Sequence, residues 1–462
     1  MFFSLLLKNI NDCPDRVAIK DLNRQLTYKE LWEEVKNKIN SAKKFGIKES
    51  AIVLLMKNNS CDWITDFLAL ILLKVKVIMI SNETTKEQIE YINKKTNFSL
   101  VINEENSKLI FDHYMPTENI SISVPSDNSE LVYHVSSGST DNPKICIRSL
   151  KQLGYEGMMY KEKLMISRDD IIVCPLPIYH SFAFGAVIIS GLMSGCEIVL
   201  FDKYSPRKYL KQLMSNKATL SFAVPAMLRL LTSMKINEEI DLSHLRYLVV
   251  GAGIITEELF LNFKNKFNIS LSSNYGSTET GGLITRTEEK DFPSVGKAMK
   301  NVDIQIRDND GNIIKNGFEG ELWVKAPSLM SRYFDSVITL DKDGFYFTGD
   351  LAKKDNKDNI YITGRIKNIV NIGGKKVNPV FIEELIKTYP DVEDVMIVKK
   401  KKTNGEEYMM AYISIKKEID LYLIKKFLQD KVESYMIPAI IKIVSTIPRN
   451  DLGKIKKEDL KS

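Results

Sequence analysis

The chain has 462 residues, more than one ordinary hydrophobic core accommodates and enough for two or three packed units. A composition that is 44% hydrophobic and 27% charged, with only 23 Gly and 14 Pro, excludes a disordered, collagen-like or low-complexity chain. The 65 Lys and Arg exceed the 59 Asp and Glu by too little, a net charge of +6, to point to nucleic acid as a partner.

Five scattered cysteines (Cys13, Cys61, Cys146, Cys174 and Cys196) form no C-x-x-C pair. They argue against a disulfide framework or a zinc site and suit a reducing, cytoplasmic setting. The apolar start Met1-Phe-Phe-Ser-Leu-Leu-Leu-Lys8 has neither a basic flank nor an adjacent small-residue cleavage site, so no signal peptide is expected. The nearly uncharged stretch from Ser181 to Cys196 is short for a bilayer and broken by Gly185, Gly191 and Gly195. It reads as a buried helix or strand-turn, and no membrane span is expected.

Along the first part, helical and strand signals alternate. Thr27-Tyr-Lys-Glu30 has capping-box spacing ahead of Leu31, Val35 and Ile39 at helical intervals, and Thr85 to Gln88 repeats the pattern. Continuous apolar runs at Ala51–Met56, Ser99–Ile102, Ile171–Cys174, Glu197–Leu200 and Leu245–Val250 read as strands covered on both faces. The alternation predicts an α/β fold with largely parallel sheets. After about Pro293 the pattern changes: Val302–Arg307 alternates with period two, Asp308–Gly311 supplies a turn, and Glu321–Val324 follows, as in antiparallel β structure. From Gly364 the chain reads as strand, Gly373-Gly374 turn, strand, and a helix capped by Asn378 with Pro379 at its first position. Two further strands and a helix near Leu421–Gln429 complete a third unit. The expected organisation is a large domain over 1–365, β-rich over about 294–363, and a small domain over 368–462.

The strongest local signal is Val135-Ser-Ser-Gly-Ser-Thr-Asp-Asn-Pro-Lys144. Small hydroxyl residues around a glycine let amides and hydroxyls approach phosphate oxygens, and a lysine adds positive charge. It does not fit the G-x-x-x-x-G-K-[ST] phosphate loop. Asn274-Tyr-Gly-Ser-Thr-Glu279, Tyr346-Phe-Thr-Gly-Asp350, Gly364-Arg365 and Pro448-Arg-Asn-Asp-Leu-Gly-Lys454 follow in that order. With these five motifs the chain resembles the adenylate-forming superfamily: acyl-CoA synthetases, adenylation domains of nonribosomal peptide synthetases, and firefly luciferase. The resemblance runs from about Asp15 to Leu460.

The resemblance implies a fold: a large N-terminal domain of stacked α/β sheets with a β-barrel-like subdomain, and a small mobile α+β C-terminal domain. It also implies roles. Ser136, Ser137, Gly138, Ser139, Thr140 and Lys144 would form the loop over the β- and γ-phosphates of ATP. Asn274 and Tyr275, followed by Gly276, would meet adenine, Thr278 the α-phosphate, and Glu279 would hold Mg²⁺. Gly251, Ala252 and Gly253 would form a small-residue turn beside adenine and the acyl group. Asp350 would accept from the ribose hydroxyls, and Arg365 would support ribose and phosphate. Lys454 would bridge the carboxylate and the α-phosphate during in-line attack. His180, in Pro175-Leu-Pro-Ile-Tyr-His180, would border the carboxylate pocket, whereas His134 reads as structural. Lys367 matches the hinge about which the small domain would rotate, withdrawing Lys454 and bringing Gly374 to the channel of a pantetheine thiol.

Departures from the family pattern are Asp141 and Ile145 where glycines are usual, and Arg332-Tyr333 where Gly-Tyr is usual. Ser181-Phe-Ala-Phe-Gly185 offers no carboxylate to pair an α-amino group, so the expected acid lacks one. Phe182, Phe184, Ile254 and Leu283 suggest an apolar pocket for an aliphatic or aromatic acid. The run Lys144-Ile-Cys-Ile-Arg148-Ser149 is similar to the Pro-Arg-Thr stretch of aryl-acid-activating enzymes. The leading expectation is an AMP-forming acid–thiol ligase acting on a small carboxylic acid, with CoA as acceptor. Alternatives are loading of the phosphopantetheine arm of an acyl or peptidyl carrier protein, a luciferase-like oxygenase, and an inactive nucleotide-binding regulator. Residues 364–462 hold 20 Lys and Arg against 14 Asp and Glu, leaving 45 of each in the preceding part. The positive excess therefore lies wholly on the expected small domain.

Overall fold

The computed structural model describes residues 1–111, 122–136, 143–236, 239–403 and 405–448, except for the side chain of Lys376. By internal contacts the chain falls into two compact units, Met1–Asp303 with Lys325–Phe345, and Ile304–Val324 with Tyr346–Ser462. The expected hinge residue Lys367 lies inside the second unit, in the 3-10 turn Ile366–Asn368.

The first unit is built on two sheets. The larger has nine strands in the spatial order Lys297–Ala298, Gly281–Arg286, Leu271–Ser277, Tyr247–Val250, Leu220–Ala223, Ile171–Cys174, Glu197–Leu200, Val17–Lys20 and Gln25–Thr27. Leu271–Ser277 through Val17–Lys20 run parallel, and antiparallel strands finish both edges. Their sequences are apolar runs because helices cover both faces of a parallel sheet, leaving no solvated face to alternate toward. The second sheet has six strands, in the order Arg332–Tyr333, Lys144–Ser149, Glu130–Ser136, Lys76–Met79, Ile52–Leu55 and Leu100–Ile102. The expected capping boxes form: Thr27 with Glu30 opens the helix Tyr28–Phe45, and Thr85 with Gln88 opens Lys86–Thr96. A third, Ser149 with Gln152, opens Leu150–Lys163 directly after the Lys144–Ser149 strand. The segment from Ser181 is a buried helix, as its composition implies, but its middle turn Phe184–Ile189 is wound as a π-helix.

In the second unit, Glu319–Lys325, Tyr346–Lys354 and Ile360–Arg365 pair antiparallel within a four-stranded sheet whose other edge is Asp303–Arg307. The strands Val370–Ile372 and Lys375–Val377 then meet through Gly373 and Gly374, both in the left-handed region at φ 58° and 85°. Asn378 caps the helix Pro379–Lys387, with Pro379 at its start. Val392–Lys401 and Glu407–Ile415 pair antiparallel, and Ile440–Ile443 adds a parallel strand that the sequence pattern did not reveal. A core of Val370, Ile382, Ile386, Val395, Ile413 and Leu428 joins these pieces to the helix Leu421–Gln429.

Candidate functional site

The adenine-side residues lie on one strand. Asn274, Tyr275 and Gly276 are in Leu271–Ser277, whose antiparallel register with Gly281–Arg286 shifts between Tyr275 and Gly276. The shift ends the regular ladder and starts the Thr278–Glu279–Thr280 turn, where Ser277 N donates to Thr280 Oγ1 at 3.0 Å. Asn274 is held from behind: its Oδ1 accepts from Tyr160 Oη at 2.9 Å and from Thr285 Oγ1 at 3.2 Å. Burial pushes the Tyr160 phenol well above its ordinary pKa, so the hydroxyl keeps its proton and fixes the amide by donation. Both acceptor positions of the amide oxygen are engaged, which fixes the orientation of the Asn274 amide.

Glu279 is braced at both backbone and side chain. Its carbonyl accepts from Met330 N at 2.7 Å, and its Oε1 accepts from Tyr333 Oη at 3.1 Å. Tyr333 sits opposite Cys146 in the strand pair that also carries Lys144, and the Lys144 ammonium lies 4.7 Å from the Tyr333 ring centroid. Lys144 in turn pairs with Ser136, whose hydroxyl donates to the Lys144 carbonyl at 3.3 Å. Lys144, at the base of the expected phosphate loop, and Glu279, the expected metal carboxylate, thus both meet Tyr333 on the edge strand of the six-stranded sheet. The unusual Arg332-Tyr333 pair is that edge. Arg332 anchors it through an ion pair to Glu130 at 3.2 Å.

The acid-side residues approach the same turn. His180 precedes the first helical residue Ser181, and Ser181 Oγ lies 3.5 Å from Thr278 Oγ1. Gly251, Ala252 and Gly253 follow the strand Tyr247–Val250, with Ala252 at φ 58°. A Cβ on Gly251 would stand 2.7 Å from the Phe182 ring, so glycine there admits the aromatic side chain against the backbone. Phe184 and Leu283, expected in an apolar pocket, carry no exposed surface. Phe184 packs into the core against Trp63, Phe67 and His134, while Ile254 is 52% exposed. Of the four, Phe182 is the half-buried side chain set against the small-residue turn.

In the second unit, Asp350 faces Arg365 across the strand pair, and Arg365 Nε donates to its carboxylate at 2.6 Å. Asp350 is 5% exposed and follows Gly349 at φ 77°. Its chain neighbours apart, Gly374 has no atom of the described residues within 4 Å of where a Cβ would stand. Ser137, Gly138, Ser139, Thr140, Asp141 and Lys454 lie outside the described residues.

Nucleotide and metal fit the donor set present. Glu279 would supply the hard carboxylate oxygen that magnesium takes, and Thr278 and Lys144 would supply a hydroxyl and a cation for phosphate oxygens. Among the described residues no group of three or more His, Cys, Asp or Glu forms a protein cage for a metal.

Two supports escaped sequence reasoning, Tyr160 behind Asn274 and Glu156 one turn earlier on the same helix. The available signal was Glu156 itself, a charge inside Leu153-Gly-Tyr-Glu-Gly157 on an otherwise apolar face.

A family model described as AMP-binding enzyme matches residues 6–334, and one for the AMP-binding enzyme C-terminal domain matches 382–454. Indoleacetate–CoA ligase of Aromatoleum aromaticum is 27% identical over 71% of this chain and 66% of its own length. For 4-coumarate–CoA ligase of Pinus taeda the figures are 27%, 71% and 64%, so the matched chain spans just under two thirds of these relatives. Crotonobetaine/carnitine–CoA ligase of Proteus mirabilis is 24% identical over 95% of this chain and 93% of its own. The solved o-succinylbenzoate–CoA synthetase of Bacillus subtilis, in complex with ATP and magnesium ion, superposes with a TM-score of 0.89 at 20% identity, covering 99% of each chain. At that identity the superposition speaks for the fold. With family models covering its large and small domains, the chain belongs to the AMP-binding enzyme family.

Proposed function

We propose that this chain is an AMP-forming acid–thiol ligase that makes an acyl-CoA from a carboxylic acid, ATP and CoA. In the first half-reaction a carboxylate oxygen of the acid attacks the α-phosphorus. The bond from that phosphorus to the bridging oxygen breaks, and pyrophosphate leaves with the electron pair. In the second, the thiol sulfur attacks the acyl carbon, its proton is lost, and AMP departs.

The observation that carries the reading is Tyr333, whose ring lies against the Lys144 ammonium and whose hydroxyl donates to Glu279, the residue next to Thr278. A cation, a hydroxyl and a carboxylate in that neighbourhood support a site for the charge that develops on a triphosphate. Magnesium, when bound, neutralises phosphate charge and makes pyrophosphate a better leaving group. Asn274 and Tyr275 hold the base, Asp350 and Arg365 the ribose, and Ser136, Ser137, Gly138, Ser139, Thr140 and Lys144 the outer phosphates. Gly251, Ala252, Gly253 and His180 border the acid. Lys454 bridges acid and α-phosphate in the first step. Rotation about Lys367, between domains 1–365 and 368–462, then exchanges Lys454 for Gly374 and the thiol.

The acid in this reading has an aliphatic or aromatic body and no α-amino group. The half-buried Phe182 and the absence of a carboxylate in Ser181–Gly185 support it, as do relatives named for indoleacetate and 4-coumarate. The test is ATP–pyrophosphate exchange across a panel of acids, followed by thioester formation with CoA or with a carrier protein. Exchange with an aryl or alkyl acid, CoA thioester formation and loss of exchange in Lys454→Ala by about a hundredfold or more are expected. No exchange with any acid would favour the inactive regulator, and thioester formation only on a carrier protein would move the acceptor.

A further inference from the structure

Behind the Thr278–Glu279 turn lies an ion pair that touches no expected ligand. Arg148 and Glu156 are both fully buried, with Arg148 Nη1 2.6 Å from Glu156 Oε2. The other Glu156 oxygen accepts from Gly282 N at 2.9 Å, and Arg148 Nη2 donates to the Ser328 carbonyl at 2.9 Å. Room for the carboxylate is made by two glycines from separate segments. A Cβ on Gly185 would stand 2.2 Å from the Glu156 carboxyl carbon, and one on Gly281 would stand 2.7 Å from it. A buried pair of this kind rarely stabilises a fold more than apolar side chains of the same volume would. Its contribution is fixed geometry, and the bonds radiating from it show what is fixed.

From Ser328, the hydroxyl donates to the Thr280 carbonyl at 2.7 Å. Two residues on, Met330 N bonds the Glu279 carbonyl, and Ser331 N bonds the Ile147 carbonyl beside Arg148 at 2.9 Å. Tyr333 closes the loop on the Glu279 carboxylate. Arg148 and Glu156 therefore grip both flanks of the turn, Gly282 on one side and the 328–333 segment on the other. We infer that the Arg148–Glu156 pair is a positioning device that holds the Glu279 carboxylate in register with Lys144 for a magnesium–triphosphate. The inference rests on the nucleotide reading of the site given above.

Calorimetric titration of the full chain with ATP, in magnesium and in EDTA, tests it alongside thermal unfolding. Glu156→Gln keeps the shape and the Gly282 bond but leaves Arg148 unpaired. It should weaken binding of ATP with magnesium about tenfold or more, and binding in EDTA much less. The double replacement Arg148→Met with Glu156→Met restores a packed, uncharged core. It should unfold near the wild-type temperature yet keep the weakened magnesium-dependent affinity, and it carries the test should Glu156→Gln fail to fold. Tyr333→Phe, which removes only the hydroxyl on Glu279, should reproduce the magnesium-selective loss. Wild-type affinity in the double variant, or equal losses with and without magnesium, would overturn the positioning role while leaving the functional reading intact. A wild-type chain that binds no magnesium–ATP at all would overturn the functional reading and this inference with it.

Discussion

His134 occupies the strand leading into the phosphate-loop region with both ring nitrogens buried and without a hydrogen-bond partner among the described residues. Its ring meets Phe184 edge-on, with centroids 5.2 Å apart. Burial, then the charges of Arg148 and His180, hold its pKa well below the ordinary 6.5. The folded state therefore binds fewer protons than the unfolded chain as pH falls. The stability tied to a neutral His134 is fully present above pH 6.5 and is lost below it, by about 1.4 kcal/mol per pH unit until the folded imidazole itself protonates. The melting temperature should drop between pH 7.5 and 5.5, and His134→Leu should make that drop shallower; an unchanged slope would remove His134 as its source. The structural role expected for this residue thus has a physical content, an apolar fit bought at the cost of acid sensitivity.

At the scale of elements, caps connect the site to its frame. Asn378 Oδ1 accepts from Val380 N at 3.1 Å at the start of Pro379–Lys387, while its Nδ2 donates to the Thr363 carbonyl beside Gly364. One side chain ties the helix of the small domain to the strand that carries Arg365. Asn378→Ala should cost about 1 to 2 kcal/mol, seen as roughly tenfold faster amide exchange in the first turn of that helix. Exchange unchanged there would mean that the cap is redundant. The π-wound turn Phe184–Ile189 is the element that departs most from its sequence signal. A π-turn widens the helix by one residue, and here it brings Gly185 against the Glu156 carboxylate while Ser181 stays at Thr278.

For the whole molecule, charge is the property with a functional consequence. The positive excess lies in residues 364–462, whereas the rest of the chain is balanced. A mobile basic domain would attract the phosphates of CoA or an acidic carrier protein, and such steering is screened within about 10 Å at 0.1 M salt. The apparent affinity for the thiol acceptor should fall severalfold between low and 0.3 M salt, with pyrophosphate exchange changing less. Equal salt dependence of both half-reactions would reduce the lysines to a solvated surface. Among the described residues no helix is long and apolar enough to cross a membrane.

Much of the fold is written locally. The apolar runs of the parallel strands, the capping boxes at Thr27 and Thr85, and the Asn378–Pro379 helix start depend on neighbours a few residues away, and each forms where its residues predict. Motif order was likewise enough to name the family, because nucleotide chemistry restricts residue types at short spacing. Contacts made across long stretches of chain left no motif, and of the residues that make them only Glu156, a charge on an apolar face, stood out. Tyr160 behind Asn274, Tyr333 on Glu279 and Glu156 on Gly282 meet partners more than fifty residues away, and only the packed sheets bring them together. The same cause moved Phe184 and Leu283 from the expected pocket into the core: an apolar residue reads alike in either place until the tertiary fold decides which face is covered.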